Sequence, residues 1–439
     1  MTFAQAQAYL LGTINETASR RIPNRLDRMR ALLAALGDPQ DRYPTVHVGG
    51  TSGKGSTATM IAAALLAAGK KTGLHTKPHL TSVTERARID GLAIAEERFA
   101  DILGEMMPVI ERVADDHGRA SYYETLLAIA FVFFAREAVD VAVIEVGIGG
   151  TLDGTNVLVP LVSVITNVAL DHTDLLGETP ALIASDKVGI AKPGVPLVSD
   201  VNDAAARAVI EVGCAAVGAP FISVRDSARV EPRSGERYGQ SFAVITPVDR
   251  YELALPILGD FQQRNAATAI RALEALPPEI RPQRSAIEAG FALLVIPGRM
   301  EYFPSHPAVV FDIAHNPDKA AHLAQALRSA FPGRRFAFVI AVGETKDAGG
   351  VIEAFAELPA TFTFTSFDAD GRHSTRPQRL ASLAGDHGVW GRAIIDPVDA
   401  FSVARRNADA EDVVVVTGST FVVATLRDWW LAHVAGHRV

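Results

Sequence analysis

Six runs rich in β-branched and aromatic residues recur along the chain, each ending in a polar or glycine-rich turn, and they constrain the fold more than any other feature. "TVHVGG" (45–50) leads into an alanine-rich helical stretch, and "DVAVIEVGIGG" (140–150) follows the helical "YYETLLAIAFVFFA" (122–135). "LVSVITNVAL" (161–170) ends at "DHTD". "HPAVVFDIAHNP" (306–317), "RRFAFVIAVGE" (334–344) and "DVVVVTGST" (412–420) repeat the pattern in the second half. A strand covered on both faces reads as a continuous apolar run, and strands that alternate with helices build a doubly wound parallel sheet. The expected class is therefore α/β. In such sheets ligands gather beyond the carboxyl ends of the strands, which is where the polar turns fall.

A chain of 439 residues exceeds one ordinary core. The break is expected at Ile296–Gly298, where a helical segment stops at a Pro-Gly pair before a new strand–helix series begins. This gives a first domain over 1–296 and a second over 299–439, about 140 residues and typical in size. Residues 220–257 carry short β-like pieces and turns, and are expected to form an antiparallel appendage of the first domain.

The net charge of −8 gives no reason to expect a nucleic-acid partner. One cysteine, Cys214, excludes an internal disulfide and a cysteine-rich zinc site, and fits a reducing cytoplasm. The first residues lack a basic start followed by a long apolar core, so no signal peptide is expected. The apolar runs 126–135 and 413–416 are too short to span a bilayer, so no membrane partner is expected.

The turn after the first run carries the chemistry. "GGTSGKGST" offers main-chain N–H groups and a helix N-terminus to an anion, and Lys54 adds a mobile positive charge. Yet the usual phosphate-loop rule, G-x-x-x-x-G-K-[ST], is broken: Gly55 follows Gly53-Lys54, and Val48 stands at the first glycine. Ser56 or Thr57 can offer a hydroxyl to Mg²⁺. Glu145 ends an apolar run, where a carboxylate is costly without a cation; it reads as a Mg²⁺ ligand or as a salt-bridged strand end. His172 reads as a metal ligand oriented by Asp171 or Asp174, or as a structural histidine. Lys187 taken alone is a surface lysine. Asp312 suits a ribose or a metal, while Asn316 or Asp318 suits a helix N-cap.

Taken in order, these segments resemble the folylpolyglutamate synthase/dihydrofolate synthase family of the Mur ligase superfamily. The resemblance runs through "RLDRMRALLAALGDPQ", "HVGGTSGKGST", "KPHLTSVTERARIDG", "EVGIGGTLDGTN", "LDHTDLLGETPALIASDKVGIAKPGVP", "GDFQQRNAATAIRALEAL", "PGRMEYF", "DIAHNP" and "TGST". The family's loop has the form G-T-x-G-K-G-[ST], which accounts for the broken rule. The resemblance implies a Mur-ligase-like P-loop ATPase domain with a parallel sheet and a smaller Rossmann-like C-terminal domain. It implies ATP and Mg²⁺, and formation of an amide between a folate-type carboxylate and L-glutamate through an acyl phosphate. Gly53, Lys54, Gly55 and Ser56 are implied as the triphosphate cradle; Asn265, Arg299 and Asp312 as ATP contacts; Ser56, Glu145, His172 and Lys187, the last as a carbamate, as metal ligands. Lys54, His172, Lys187 and His315 are the implied catalytic set, and a monomer acting on small molecules is expected. Two departures stand out. Lys77 occupies the place of a serine metal ligand and is expected to turn toward solvent or an acidic substrate; Thr151 stands where arginine is usual. They leave room for two other readings, a Mur-type ligase for another carboxylate and a nucleotide-binding homologue impaired in catalysis.

Overall fold

The computed structural model describes residues 1–13, 25–233, 239–369 and 372–434. The chain divides into two compact units. The first holds Met1–Ser234, Ser241–Ala254 and Phe261–Leu294; the second holds Gln240, Leu255–Asp260 and Val295–Val439.

The first unit is built on a sheet of β1 (Thr45–Gly49), β2 (Thr72–His75), β3 (Arg88–Ile89), β4 (Leu92–Ala93), β5 (Val141–Glu145), β6 (Val162–Ile165), β7 (Leu197–Ser199) and β8 (Phe221–Ser223). Their order is β4-β3-β2-β5-β1-β6-β7-β8, with β2 and β5 to β8 parallel to β1 and its neighbours and β3 and β4 added antiparallel. Every residue of β1 and β5 is buried, the physical reason their sequences show no alternation. One face packs a large core that includes Ile144, Phe131 and Met106; the other packs Val146, Ile165 and Ile183. The helix Tyr122–Arg136 starts at a capping box of Ser121 and Glu124. The same Glu124 is fully buried and forms an ion pair with Arg28 at 2.8 Å, tying this helix to Arg25–Ala35.

An antiparallel sheet of β9 (Arg229–Pro232), β10 (Gln240–Ile245) and β11 (Arg250–Leu255) follows. It is narrower than the sequence suggested. Phe221–Ser223, expected in this appendage, instead pairs parallel with β7 and ends the main sheet.

The second unit carries β12 (Glu301–Phe303), β13 (Ala308–Phe311), β14 (Phe336–Ile340), β15 (Ala360–Phe364), the short ribbon β16 (Asp368–Ala369) and β17 (Arg372–His373), then β18 (Gly391–Ala393) and β19 (Val413–Thr417). Its main sheet runs β12-β13-β19-β14-β15-β18, parallel except for β12. Stacked rings of Phe338, Phe355 and Phe362 help fill its core. All six apolar runs picked from sequence are strands of these two sheets. Among the described residues, no helix is long and apolar enough to cross a membrane.

Candidate active site

The order β2-β5-β1-β6 brings four strand ends together, with polar residues at or soon after them: Thr76 after β2, Glu145 ending β5, Thr51 after β1 and Thr166 after β6. After β1 the chain turns through Gly50 (φ +135°) and Gly53 (φ +78°) into the helix Lys54–Ala67. A Cβ at Gly53 would collide with Asn265 Oδ1, and one at Gly50 with Thr166 Oγ1; glycine is required by both backbone and space. The segment beyond β6 fastens this loop. Thr166 Oγ1 donates to Ser52 O at 2.6 Å, and Asn167 Oδ1 accepts from the N–H of Ser52 at 2.8 Å and of Thr51 at 3.2 Å. The first turn of a helix leaves N–H groups without helical partners, so the start at Lys54 presents fixed donors suited to an anion.

Lys54 folds back onto its own loop, its ammonium donating to Gly50 O at 3.0 Å and Thr51 O at 2.9 Å. Lys187 is buried, and its ammonium donates to the same Gly50 O at 2.9 Å. Burial first, then the positive charge of Lys54, pushes Lys187 down to about 7. Glu145 is buried at the end of β5. Its Oε2 accepts the main-chain N–H of Lys77 at 2.9 Å and lies 3.3 Å from where a Cβ on Gly55 would stand. Its Oε1 has no hydrogen-bond partner among the described residues. Lys77 is half-buried rather than extended into solvent; burial, then Lys54, lowers it to about 8, against the pull of Glu145 and Asp153.

His172 lies beyond β6 in the left-handed region (φ +49°), exposed, with Nε2 4.0 Å from Asp171 Oδ1. Partial burial lowers its pKa; Asp171 opposes this, and Lys77 and Lys54 reinforce it. The histidine therefore belongs to the same electrostatic cluster. Ser56 Oγ is buried and within 3.4 Å of Gln262 Nε2, and Gln262 Oε1 accepts from Asn265 Nδ2 at 2.8 Å. Thr57, the other candidate hydroxyl, is fully buried and its Oγ1 has no partner among the described residues.

The chemistry of these donors fits Mg²⁺: a free carboxylate oxygen on Glu145 and a hydroxyl at the helix start are hard oxygen ligands. No group of three or more His, Cys, Asp or Glu is arranged for a metal among the described residues. A protonated Lys187 adds no ligand to that set; an anionic derivative of it would.

The turn after β5 supports Lys187. Thr151 donates both N–H and Oγ1 to Asp186 O, at 3.0 and 2.9 Å, at the end of the helix Pro180–Lys187. Asn156 Nδ2 bridges Thr151 O and Gly189 O at 3.0 and 3.1 Å, and Lys192 Nζ donates to Asn156 Oδ1 at 2.6 Å. Thr151 thus anchors the lysine's helix.

In the second unit, Asp312 follows β13. Its Oδ2 accepts from Met300 N at 2.9 Å and its Oδ1 from Ala314 N at 2.8 Å, which binds it to the turn carrying Arg299. Burial raises its pKa, opposed by Arg299 and these N–H groups. Glu301 clamps the other side of that turn, accepting from Gly298 N at 2.9 Å and bidentately from Arg427 at 2.7 and 2.8 Å. His315 Nδ1 donates to Ile313 O at 2.9 Å, leaving Nε2 as an acceptor 3.4 Å from Lys319 Nζ. Burial, then Lys319, lowers this histidine to about 4, so it is neutral at pH 7. Asn316 caps the helix Pro317–Ala330.

Sequence reasoning passed over a buried polar group behind the site. Asp153 Oδ2 accepts from Ile148 N at 2.9 Å and its Oδ1 from Thr155 Oγ1 at 2.6 Å. Thr155 Oγ1 meets His47 Nε2 at 2.8 Å. His47 on β1 and His75 on β2 both align with Ile144 between them, and both are held neutral by burial, at about 4. The "LDGTN" turn signal was the available clue. Gln262 and Asn167 were also missed; the loop residues they meet, Ser56 and Ser52, are more than 100 residues away in sequence.

The Mur ligase middle domain family matches residues 48–273, and the glutamate ligase domain family of Mur ligases matches residues 298–420. A dihydrofolate synthase/folylpolyglutamate synthase of Bacillus subtilis is 31% identical over 92% of this chain and 94% of its own. A probable bifunctional folylpolyglutamate synthase/dihydropteroate synthase of Haloferax volcanii is 35% identical over 92% of this chain; the chain spans about half, 48%, of that longer protein. The structure of Mycobacterium tuberculosis folylpolyglutamate synthase complexed with ADP superimposes with a TM-score of 0.85, at 31% identity and 98% coverage of both chains. With both domain families matched in order and the phosphate loop, Glu145 and Lys187 assembled at one end of the first sheet, the chain belongs to the folylpolyglutamate synthase/dihydrofolate synthase family of Mur ligases.

Proposed function

We propose that this protein is an ATP-dependent ligase that joins a folate-type carboxylate, dihydropteroate or a folate, to the amino group of L-glutamate. The observation that carries this reading is the fastened loop Gly50–Gly53 opening into the helix at Lys54, with Glu145 against its first turn, in a chain whose relatives bear the folate ligase names. The acceptor carboxylate attacks the γ-phosphorus of ATP. The bond from that phosphorus to the β,γ-bridging oxygen breaks, ADP leaves, and an acyl phosphate forms. The glutamate amine then attacks the acyl carbon, loses a proton, and expels phosphate as the amide forms.

Lys54 leaves the carbonyls of Gly50 and Thr51 to neutralise the transferring group, and positioning supplies much of the remaining rate. Asn265, Arg299 and Asp312 hold the nucleotide. His315, neutral with Nε2 as an acceptor, contacts the incoming glutamate or the phosphoryl group. Mg²⁺, when bound, supplies charge neutralisation on the phosphates; Ser56, Glu145, His172 and a carbamate on Lys187 would hold it. The low basicity of the Lys187 amine supports that modification, because carbon dioxide adds to the neutral amine. Acting on small molecules, the protein needs no nucleic-acid or membrane partner and works as a monomer in the cytoplasm.

The test incubates the protein with ATP, Mg²⁺ and L-glutamate, with and without dihydropteroate or tetrahydrofolate. ADP release that depends on the acceptor, with a product heavier by one glutamate residue, is expected. ADP release unaffected by either acceptor would refute the reading.

A further inference from the structure

Three lysines surround the phosphate loop, and their ammonium groups are not equivalent. That of Lys54 is held by two carbonyls and that of Lys187 by one. The ammonium of Lys77 has no hydrogen-bond or ion-pair partner among the described residues. Its main chain, by contrast, is fixed. β2 pairs with β5 up to His75 opposite Ile144, and two residues later the Lys77 N–H donates to Glu145 Oε2 at 2.9 Å. Only the side-chain methylenes retain freedom.

The charges that act on Lys77 most strongly are Lys54 and Arg86, both positive, and Glu145 and Asp153, both negative. Lys187 is a further positive neighbour, so these surroundings hold no surplus of negative charge to match Lys77. Glu145 touches its backbone yet forms no ion pair with its ammonium. A half-buried cation with no acceptor is costly, and an arriving anion removes that cost. Glu145 lies against Gly55 at the start of the helix that bears Lys54, so the anion nearest to hand is one bound at that helix start.

We propose that Lys77 is a second phosphate-binding lysine, whose ammonium takes an oxygen of the terminal phosphoryl group of ATP from the β2 side of the loop while Lys54 approaches from the loop itself. This rests on the ATP-dependent reading above. No bond is made or broken at Lys77; it stays with the phosphoryl oxygens during transfer and supplies charge that dissolved divalent cations otherwise provide. Lys77 thereby makes nucleotide binding less dependent on Mg²⁺.

The test measures equilibrium binding of AMPPCP, which keeps a terminal phosphoryl group, and of ADP, which lacks it. Each is titrated into the full-length wild type, Lys77→Met and Lys77→Arg by calorimetry, in Mg²⁺ and in EDTA. Melting curves confirm that each variant is folded. Lys77→Met should weaken AMPPCP by about tenfold in EDTA, the scale of one charge-assisted contact, and by less in Mg²⁺. ADP affinity should hardly change, and Lys77→Arg should recover most of the loss. Wild-type AMPPCP affinity in Lys77→Met under both conditions would overturn the proposal. So would equal losses for ADP and AMPPCP. Failure of the wild type to bind either nucleotide would instead defeat the ATP-dependent reading.

Discussion

Lys54 and Lys187 share the carbonyl of Gly50, so a nucleotide that draws Lys54 away relieves a repulsion as well as gaining a charge. Lys54→Ala should lose about 10²-fold or more in kcat with little change in melting temperature, because its ammonium is held by loop carbonyls rather than packed in the core. Steady-state kinetics at saturating ATP checks this; near-normal turnover would remove Lys54 from the chemistry. The Lys187 amine, at about 7, is mostly protonated at pH 6 and mostly neutral at pH 8. A carbamate signal from ¹³C-bicarbonate should therefore strengthen between those pH values and vanish in Lys187→Ala. A spectrum with no such signal at pH 8 counts against modification. Neither environment is visible in the sequence, where Lys187 alone looks like a surface residue. Its burial follows from Thr151 and Asn156 gripping the end of its helix, and Thr151, which looked like a departure that weakened the site, supplies part of that grip.

At the level of elements, the six apolar strands were legible because burial on both faces leaves an unbroken Val/Ile signature. β8 was not. Its three residues are only partly buried at the sheet edge, and its parallel pairing with β7 is a long-range event that local texture does not encode. The phosphate loop was legible as glycines and a lysine, yet what holds it is Thr166 and Asn167 from another strand. Asn167→Ala frees two loop N–H groups and should raise KM for ATP by about tenfold with little change in melting temperature. A variant with wild-type KM would show that the fastening is redundant. The pair Arg28–Glu124 belongs to packing rather than chemistry. Removing Arg28 leaves a fully buried carboxylate, and Arg28→Ala should cost about 3–5 kcal/mol, read by urea unfolding of the first unit. A loss below about 1 kcal/mol would mean that water reaches Glu124.

Across the whole molecule, the expected boundary at Ile296–Gly298 lies close to Val295, where the long part of the second unit begins. The earlier visits of the chain to that unit had no sequence signal. Leu255–Asp260 belongs to it, and Leu258 is buried in a core with Met300, Val310 and Phe338. Gln240 Nε2 bonds the carbonyls of Ile257 and Gly259, both at 3.0 Å. A fragment ending at Ile296 should make no amide product and should melt below the full chain, since Leu258 loses its core. Mass spectrometry of the reaction and a thermal melt decide this; a competent fragment would place all the chemistry in the first unit.

That connectivity also limits how such a protein can be recombined. A chimera spliced once near Val295 would carry a C-terminal body from one parent and its Leu255–Asp260 segment from the other. Leu258 would then meet a core selected for a different neighbour. Exchange between homologues should succeed where the short segment travels with the body it packs into, and the unit of inheritance is therefore discontinuous in the gene although compact in space.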